Sequence, residues 1–364
     1  MKKRIIALML VLTMMLSMVS CGKSEKANTP ESKKETSIAD IFQKIDGMEA
    51  KTVDFTMDMD LSGIKDNTTG VKKVGVKLSG ITDGSETGTS SVELAYRLDD
   101  ESDYTLLTSF IYNNKTLYID YASLKKAAKE FITSQNLTQY TPVIECLPDA
   151  SFVKIDEATA KQLLSTYVPQ EQVTEAENMN SNVLEKVVRT CTQYVVETIQ
   201  GATKDVNPAL ITVEENGVKL TIKKENASAT SEAISALDLN AKYDELVQLV
   251  KAIEGADQYA TELNKNKESV ISGLKEGIKV DKEKLDKFNT LDIDGEVTVT
   301  GETGKRVVKE SLSMNIDDGE EKVTASMSVT CGEEVKEGQK VEVPTDATDL
   351  LTLIQQVATL FQQQ

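Results

Sequence analysis

The sequence predicts an α+β fold built on an antiparallel sheet, with a helical region in the middle of the chain. Apolar and polar residues alternate strictly in two groups of segments, within 53–121 and within 291–331. Such alternation is typical of antiparallel strands that have one buried and one solvated face. Between the two groups, apolar residues recur at the three- and four-residue spacing of helices. Residue pairs that favour tight turns, Asn113–Asn114 and Asn216–Gly217, predict two hairpins.

The elements of the first group begin with a helix. Ser37 can cap it, and its apolar positions recur at helical spacing from Ile38 to Met48. In the next segment Val53, Phe55, Met57, Met59 and Leu61 alternate with polar residues, which predicts the clearest strand of the chain. Further strands are predicted at Val74–Leu78, Val92–Leu98, Tyr104–Tyr112 and Lys115–Tyr121.

The middle of the chain is mostly helical, and the strand pattern then returns. Helices are predicted at Tyr121–Gln135, Glu157–Thr166, Glu171–Ile199, Tyr243–Ile253, Ala256–Leu274 and Lys282–Phe288, with an extended piece at Ser151–Ile155 and a hairpin at Ala209–Lys223. Strands follow at Leu291–Val299, Val307–Ile316 and Lys322–Cys331, then an extended segment at Val341–Pro344 and a helix at Thr345–Phe361. This order predicts a single α+β domain, 37–364. An alternative interpretation of the same order is a diverged duplication, in which two similar halves, 37–155 and 205–364, flank a helical insert, 156–204; the likeness of the halves is limited to their alternation pattern.

Composition excludes several classes of function. The chain has no histidine and no tryptophan, so it cannot form a His-dependent nucleophile pair or a histidine metal site. Its formal charge is −18, and removal of three N-terminal cations would leave −18 − 3 = −21. A surface this acidic repels nucleic acid, so we expect no nucleic-acid partner.

No motif in the sequence predicts catalysis, a metal or a cofactor. The acidic clusters are Asp54, Asp58 and Asp60; Asp292 and Asp294; and Asp317, Asp318 and Glu320. None has the spacing of an EF-hand, and strand faces and turns account for all three. We therefore expect a protein that is not an enzyme, although a carboxylate-based hydrolase of envelope polymers is an open alternative. Cys146, Cys191 and Cys331 are expected to be buried as small apolar residues.

The N-terminal stretch has the form of a secretory signal. Lys2, Lys3 and Arg4 precede the apolar run Ile5–Val19. The last two residues of this run and the two after it, Met18 to Cys21 in the sequence MVSC, resemble the lipobox of bacterial lipoproteins. The resemblance implies a signal peptide at 1–20, a diacylglyceryl lipid on Cys21 and a protein anchored on the extracytoplasmic face of the cell membrane. Residues 21–36 lack large apolar side chains and are expected to be a flexible tether.

The order of elements in the mature chain also resembles the LolA/LprG-type lipoprotein fold. That resemblance implies a curved sheet, a half barrel, that wraps around helices and encloses an apolar cavity for acyl chains. The function it implies is non-enzymatic binding of a lipid or other apolar ligand. The residues expected to line the cavity are Phe55, Met57, Met59, Val76, Leu94 and Tyr96, although the same side chains could form an ordinary core. The alternative is a surface lipoprotein that acts through protein contacts, as an assembly, sensor or scaffold component.

Overall fold

A computed structural model provides the three-dimensional structure. It describes residues 36–65, 71–83, 88–99, 103–134, 137–167, 181–280, 282–335 and 340–362. The predicted signal peptide and Cys21 lie outside these ranges, as does the first part of the helix predicted at Glu171–Ile199.

Helices and strands alternate in blocks along the chain. The helices are α1 (Ile38–Ile45), α2 (Tyr121–Ser134), α3 (Thr141–Cys146), α4 (Glu157–Tyr167), α5 (Ser181–Thr203), α6 (Lys224–Ser235), α7 (Leu239–Lys251), α8 (Asp257–Ile278), α9 (Lys282–Asp286) and α10 (Leu350–Gln362). The strands are β1 (Thr52–Gly63), β2 (Lys73–Thr82), β3 (Ser90–Leu98), β4 (Thr105–Asn113), β5 (Thr116–Asp120), β6 (Phe152–Ile155), β7 (Ile211–Glu214), β8 (Gly217–Lys223), β9 (Thr290–Thr300), β10 (Val307–Asp317), β11 (Lys322–Gly332) and β12 (Thr348–Asp349).

The chain forms two compact units, each assembled from three separate segments. The first comprises Met1–Ala50, Met59–Lys72 and Met179–Glu333, and the second comprises Lys51–Asp58, Lys73–Asn178 and Glu334–Gln364. Strand β1 contributes its first half to the second unit and its last residues to the first. The interpretation of the chain as one domain with two similar halves stays a prediction.

The first unit has an antiparallel sheet in the order β11-β10-β9-β8-β7. Residues opposite one another in its register share a face, as Val308, Val299 and Cys331 do. One face is almost wholly apolar, and its central side chains are buried: Ile293 and Val308 are each 1% exposed. Helix α1 lies beside β8 and β9 and buries Ile38, Ile41 and Ile45. The apolar face of this sheet is therefore a closed core.

Two features of local sequence explain where helices of the first unit begin and pack. Ser37 and Asp40 form a capping box at the start of α1, with a 3.2 Å bond from the Asp40 amide to the Ser37 hydroxyl. Helices α5, α7 and α8 bury a separate apolar cluster: Val187, Tyr243, Leu246, Val247, Val250, Ala256, Ala260 and Ile271. The helical spacing of these residues confirms the predicted helices α7 and α8.

The second unit has the strand order β12-β6-β5-β4-β3-β2, followed by the first half of β1. Strands β6 and β12 run parallel, and the other described pairs of this unit are antiparallel. Helix α2 packs against β4 and β6, and α4 and α10 pack against β6. The fold class is therefore confirmed as α+β with antiparallel pairing dominant.

Both predicted hairpins form, but each turn lies one residue away from its predicted place. Asn113 pairs with Thr116, so the turn consists of Asn114 and Lys115, at φ 44° and 61°. Glu214 pairs with Gly217, so the second turn consists of residues 215 and 216. Gly217 belongs to strand β8, where it pairs with Glu214 and Thr298, and a Cβ at this position would lie 2.4 Å from the Val297 carbonyl oxygen. Glycine is therefore required at this position by close contact with the neighbouring strand, and not by the geometry of the turn.

The structure adds to the predicted elements and departs from one expectation about the cysteines. Helices α3 and α6 were not predicted; buried Asn226 defines the start of α6 by accepting the Lys223 amide at 2.8 Å. Residues 341–344 belong to no strand, and the nearest strand among the described residues is the two-residue β12. Cys146 is exposed at the end of α3, whereas Cys331 is buried as expected. Cys191 is half-buried, and burial raises its pKa to about 11.

Candidate functional site

Five of the six residues predicted to contact an apolar ligand lie on one face of the second unit. The Lys51 carbonyl accepts a 2.7 Å bond from the Thr82 amide, and an added Cβ at Gly80 would lie 3.9 Å from Val53 Cβ. Both observations fit an antiparallel register in which Phe55 lies opposite Leu78 and Met57 opposite Val76. Strand β2 in turn pairs Leu78 with Leu94 and Val76 with Tyr96.

This register defines the apolar face of the second unit as a set of cross-strand rows. The row Val53, Gly80, Val92 and Phe110 is followed by Phe55, Leu78 and Leu94, and then by Met57, Val76 and Tyr96. Five of the six predicted lining residues therefore share one face, in adjacent rows. The sixth, Met59, belongs to the first unit.

The side chains of this apolar face are half-buried. In the first unit, by contrast, the central side chains of the apolar face are almost completely buried. Burial of a fully exposed aliphatic side chain contributes roughly 1.5–3 kcal/mol, so half-buried rows leave part of this stabilisation unused. An apolar ligand could supply the missing contacts.

Gly80 leaves a gap the size of a methyl group within the apolar face. A Cβ built there would be 3.4 Å from Val92 Cγ2, 3.5 Å from the Ser91 carbonyl oxygen and 3.9 Å from Val53 Cβ, which are ordinary van der Waals distances. An alanine side chain would therefore fit at this position without displacing the backbone. Because the sequence has glycine, residue 80 contributes no side chain between Val53 and Val92.

The opposite face of the same strands carries a polar cluster. Asp58 Oδ1 accepts bonds from Arg97 Nη2 at 2.7 Å and from the Tyr104 hydroxyl at 3.1 Å. The Arg97 guanidinium lies 4.8 Å from the centre of the Tyr104 ring, within range of a cation–π interaction. Burial, and then the bond to Asp58, raise the pKa of Tyr104. The cluster joins β1 and β3 across Gly75, so it fixes the alignment of the strands.

A buried ion pair in the first unit connects the sheet to α1. Arg306 and Glu333 are 7% and 6% exposed and form a two-point contact at 2.6 and 3.0 Å. Arg306 also donates to the carbonyls of Lys44, Asp46 and Gly47 at 2.8–2.9 Å. Burial would raise the pKa of Glu333, but the bonds from Arg306 outweigh it and lower that pKa. The pair thus satisfies backbone groups at the end of α1.

Glu310 is the one carboxyl in the apolar face of the first unit. It is 4% exposed, lies between Val297 and Val329 in the sheet, and its Oε2 has no hydrogen-bond partner among the described residues. Burial raises its pKa to about 8, so the carboxyl is largely protonated at neutral pH. The sequence contained the signal for this, because the alternation of β10 places Glu310 in line with Val308 and Leu312.

The acidic clusters have structural partners in the described residues. Lys223 contacts Asp292 and Asp294 at 3.3 and 3.1 Å on the solvated side of the first unit's sheet. Asp317 and Asp318 accept backbone amides within their turn. Across the described ranges, no group of three or more cysteine, aspartate or glutamate side chains is placed to hold a metal ion.

An open groove of about 610 Å³ lies between α2 and α3 in the second unit. Two of its three lysines contact acids of the lining: Lys125 contacts Asp149 at 2.8 Å, and Lys129 contacts Glu145 at 3.0 Å. The third, Lys126, lies 3.9 Å from Glu130, outside the lining. Each lysine therefore has an acidic neighbour, and these exposed pairs leave little net charge to attract a charged ligand.

Comparison with known proteins does not place the chain in a family. No protein-family model matches the chain, and no curated protein matches it significantly. Within the part of the chain that the structure describes, no helix is long and apolar enough to span a membrane.

Proposed function

We propose that the protein is a lipid-anchored, non-enzymatic component of the cell envelope that binds an acyl chain or similar apolar ligand. Ligand binding is assigned to the apolar face of the second unit, whose sheet would curve around the ligand as a half barrel. The observation that carries the proposal is the register that groups Phe55, Met57, Val76, Leu94 and Tyr96 while leaving them half-buried.

The chemistry of the face supports an apolar ligand of variable shape. Met57 has a flexible thioether side chain that adapts to different contacts, and Phe55 and Tyr96 offer broad apolar surfaces. Gly80 adds a gap at one end of these rows. Anchoring would come from Cys21, because a diacylglyceryl group carries two acyl chains and two are sufficient for stable membrane attachment.

The first experiment tests for a bound ligand by native mass spectrometry and lipid extraction after gentle purification. We expect a bound mass that dissociates as fatty acid or phospholipid. Gly80→Val fills the gap between Val53 and Val92 and should reduce the ligand-bound fraction while the protein stays folded. Ser79→Val, on the opposite face of β2, is the matched control and should leave binding unchanged. A clean apo mass, with no gain in thermal stability on adding lipids, would refute ligand binding.

A second experiment tests the anchor separately. Cells that express the wild-type chain and the Cys21→Ala variant are labelled with a clickable fatty acid and fractionated. We expect label and membrane association for the wild type, and loss of the label for the variant. Equal labelling of both proteins would contradict lipidation at Cys21 and would leave the ligand-binding proposal intact.

A second candidate function is action through protein contacts, and one observation favours it. Large apolar side chains are 39–52% exposed on α2, on α3 and on the short turn between them: Leu124, Phe131, Tyr140 and Val143. Exposed apolar residues grouped on neighbouring elements are typical of interaction surfaces. If Phe131→Ser abolishes co-purification of an envelope protein while ligand occupancy is unchanged, the result would favour action through protein contacts over ligand binding.

A further inference from the structure

The apolar face of the second unit ends in a row of polar side chains. Thr82 lies opposite Ser90, and Ser90 lies opposite Tyr112. On the other side, Lys51 lies opposite Thr82 through the 2.7 Å backbone bond. Because directly opposed residues point to the same side of a sheet, these four side chains belong to the apolar face. We call them the polar row; they adjoin the row that contains Gly80.

The polar row is rich in hydrogen-bond donors and carries a positive charge. The hydroxyl oxygens of Thr82 and Ser90 are 3.0 Å apart, the Tyr112 side chain is half exposed, and Lys51 is exposed. The register places the Lys51 side chain and three hydroxyl side chains on adjacent strands of one face. The Thr82 and Ser90 hydroxyls share one hydrogen bond, so an oxyanion at this row would accept from the Lys51 ammonium, from the Tyr112 hydroxyl and from at most one hydroxyl of that pair.

The distance along the strands fits a single acyl chain. The row of Met57, Val76 and Tyr96 lies six residues from the polar row, which is roughly 20 Å at about 3.3–3.4 Å per residue. An extended palmitoyl chain has a similar length. The gap at Gly80 lies immediately beside the polar row, where the chain would leave the head group.

We propose that this face recognises a single-chain amphiphile with an anionic head group, either carboxylate or phosphate. The chain lies along the apolar rows and the head group contacts Lys51, Thr82, Ser90 and Tyr112. This inference rests on the proposed function and adds the class of ligand and its direction on the sheet.

The test compares probes that share a chain and differ in their head group. The full-length chain with Cys21→Ser is titrated with palmitate and with hexadecanol by isothermal calorimetry, in the wild-type background and with Lys51→Met. We expect the wild type to bind palmitate up to about fivefold more tightly than hexadecanol, the ratio available from one exposed ion pair. Lys51→Met should remove this preference and leave hexadecanol affinity unchanged.

Lys77→Met is the matched control, because Lys77 is an exposed lysine on the opposite face of β2. It should retain the preference for palmitate. Lys51→Gln serves as a second variant if Lys51→Met does not fold. Equal binding of both probes by the wild type, or a preference that survives Lys51 replacement, would overturn the inference while the proposed function stands. If neither probe binds, the proposed function fails and the inference with it.

Discussion

Replacing Glu310 by glutamine should make the stability of the protein less dependent on pH. Glu310 is buried among the valine and leucine side chains of the first unit's sheet, and its Oε2 lacks a partner among the described residues. Its pKa is about 8, against an ordinary value of 4.5. Between these two values the folded protein holds a proton that the unfolded chain releases, so stability falls as pH rises. Glutamine keeps the shape and polarity of the side chain but cannot ionise.

The effect of Glu310 on the unfolding free energy follows from the difference between the two pKa values. Each pKa unit corresponds to about 1.4 kcal/mol, and pH 7 lies 2.5 units above the ordinary value of 4.5. Keeping Glu310 protonated at pH 7 therefore costs about 3 kcal/mol of unfolding free energy, rising to about 5 kcal/mol above pH 8. The cost disappears below pH 4.5, where the carboxyl is protonated in both states.

The assay is urea denaturation followed by circular dichroism, at half-unit steps from pH 5 to pH 8.5. We expect the difference in unfolding free energy between Glu310→Gln and the wild type to grow by about 1.4 kcal/mol per pH unit up to pH 8. Glu302→Gln replaces an exposed glutamate between β9 and β10 and is the control. Its unfolding free energy should show the same dependence on pH as that of the wild type. A difference that stays constant across this range would refute the assignment of a protonated, buried carboxyl.

Two further predictions concern the polar contacts that hold each unit together. Arg306→Met leaves Glu333 buried without its cation and should lower the unfolding free energy by about 3–5 kcal/mol. The double variant that also carries Glu333→Leu should recover part of that loss in denaturant titrations. A double variant no more stable than Arg306→Met would contradict this expectation. Gly75→Ala would place a Cβ 2.7 Å from Asp58 Oδ1 and should cost about 1–3 kcal/mol. Gly80→Ala is on the same strand, but its Cβ would have only ordinary van der Waals neighbours, so this variant should be neutral or slightly stabilising in thermal melts. Equal losses of stability for the two alanine variants would contradict this difference in packing.

Local periodicity predicted most of the elements because it depends only on neighbouring residues. The alternation from Val53 to Leu61 predicted β1, and Ser37 predicted the start of α1. The same alternation also grouped five of the six ligand-lining residues, since residues two apart on a strand share a face. It did not predict α6, whose first turn depends on Asn226 bonds to Pro208 and Thr221.

The polar row and the exact turns could not be predicted because they depend on strand register. Register is a relation between segments, and it is fixed by which apolar faces are buried together. Lys51 and Tyr112 are 61 residues apart in the sequence and meet in one row only when β1, β2, β3 and β4 are aligned. The register of each hairpin also places its turn one residue away from the predicted position.

The sequence by itself determined the class of fold, the faces of the strands and the N-terminal residues that resemble a lipobox. Tertiary structure alone decided how the segments assemble into two units, and it brought Arg306 to Glu333 and to the end of α1. It also left the Glu310 Oε2 without a hydrogen-bond partner among the described residues, on an apolar face where the alternation of β10 already places this side chain. The physical reason is that helix and strand patterns are properties of local chain geometry, whereas burial and charge pairing arise only when distant segments exclude water together.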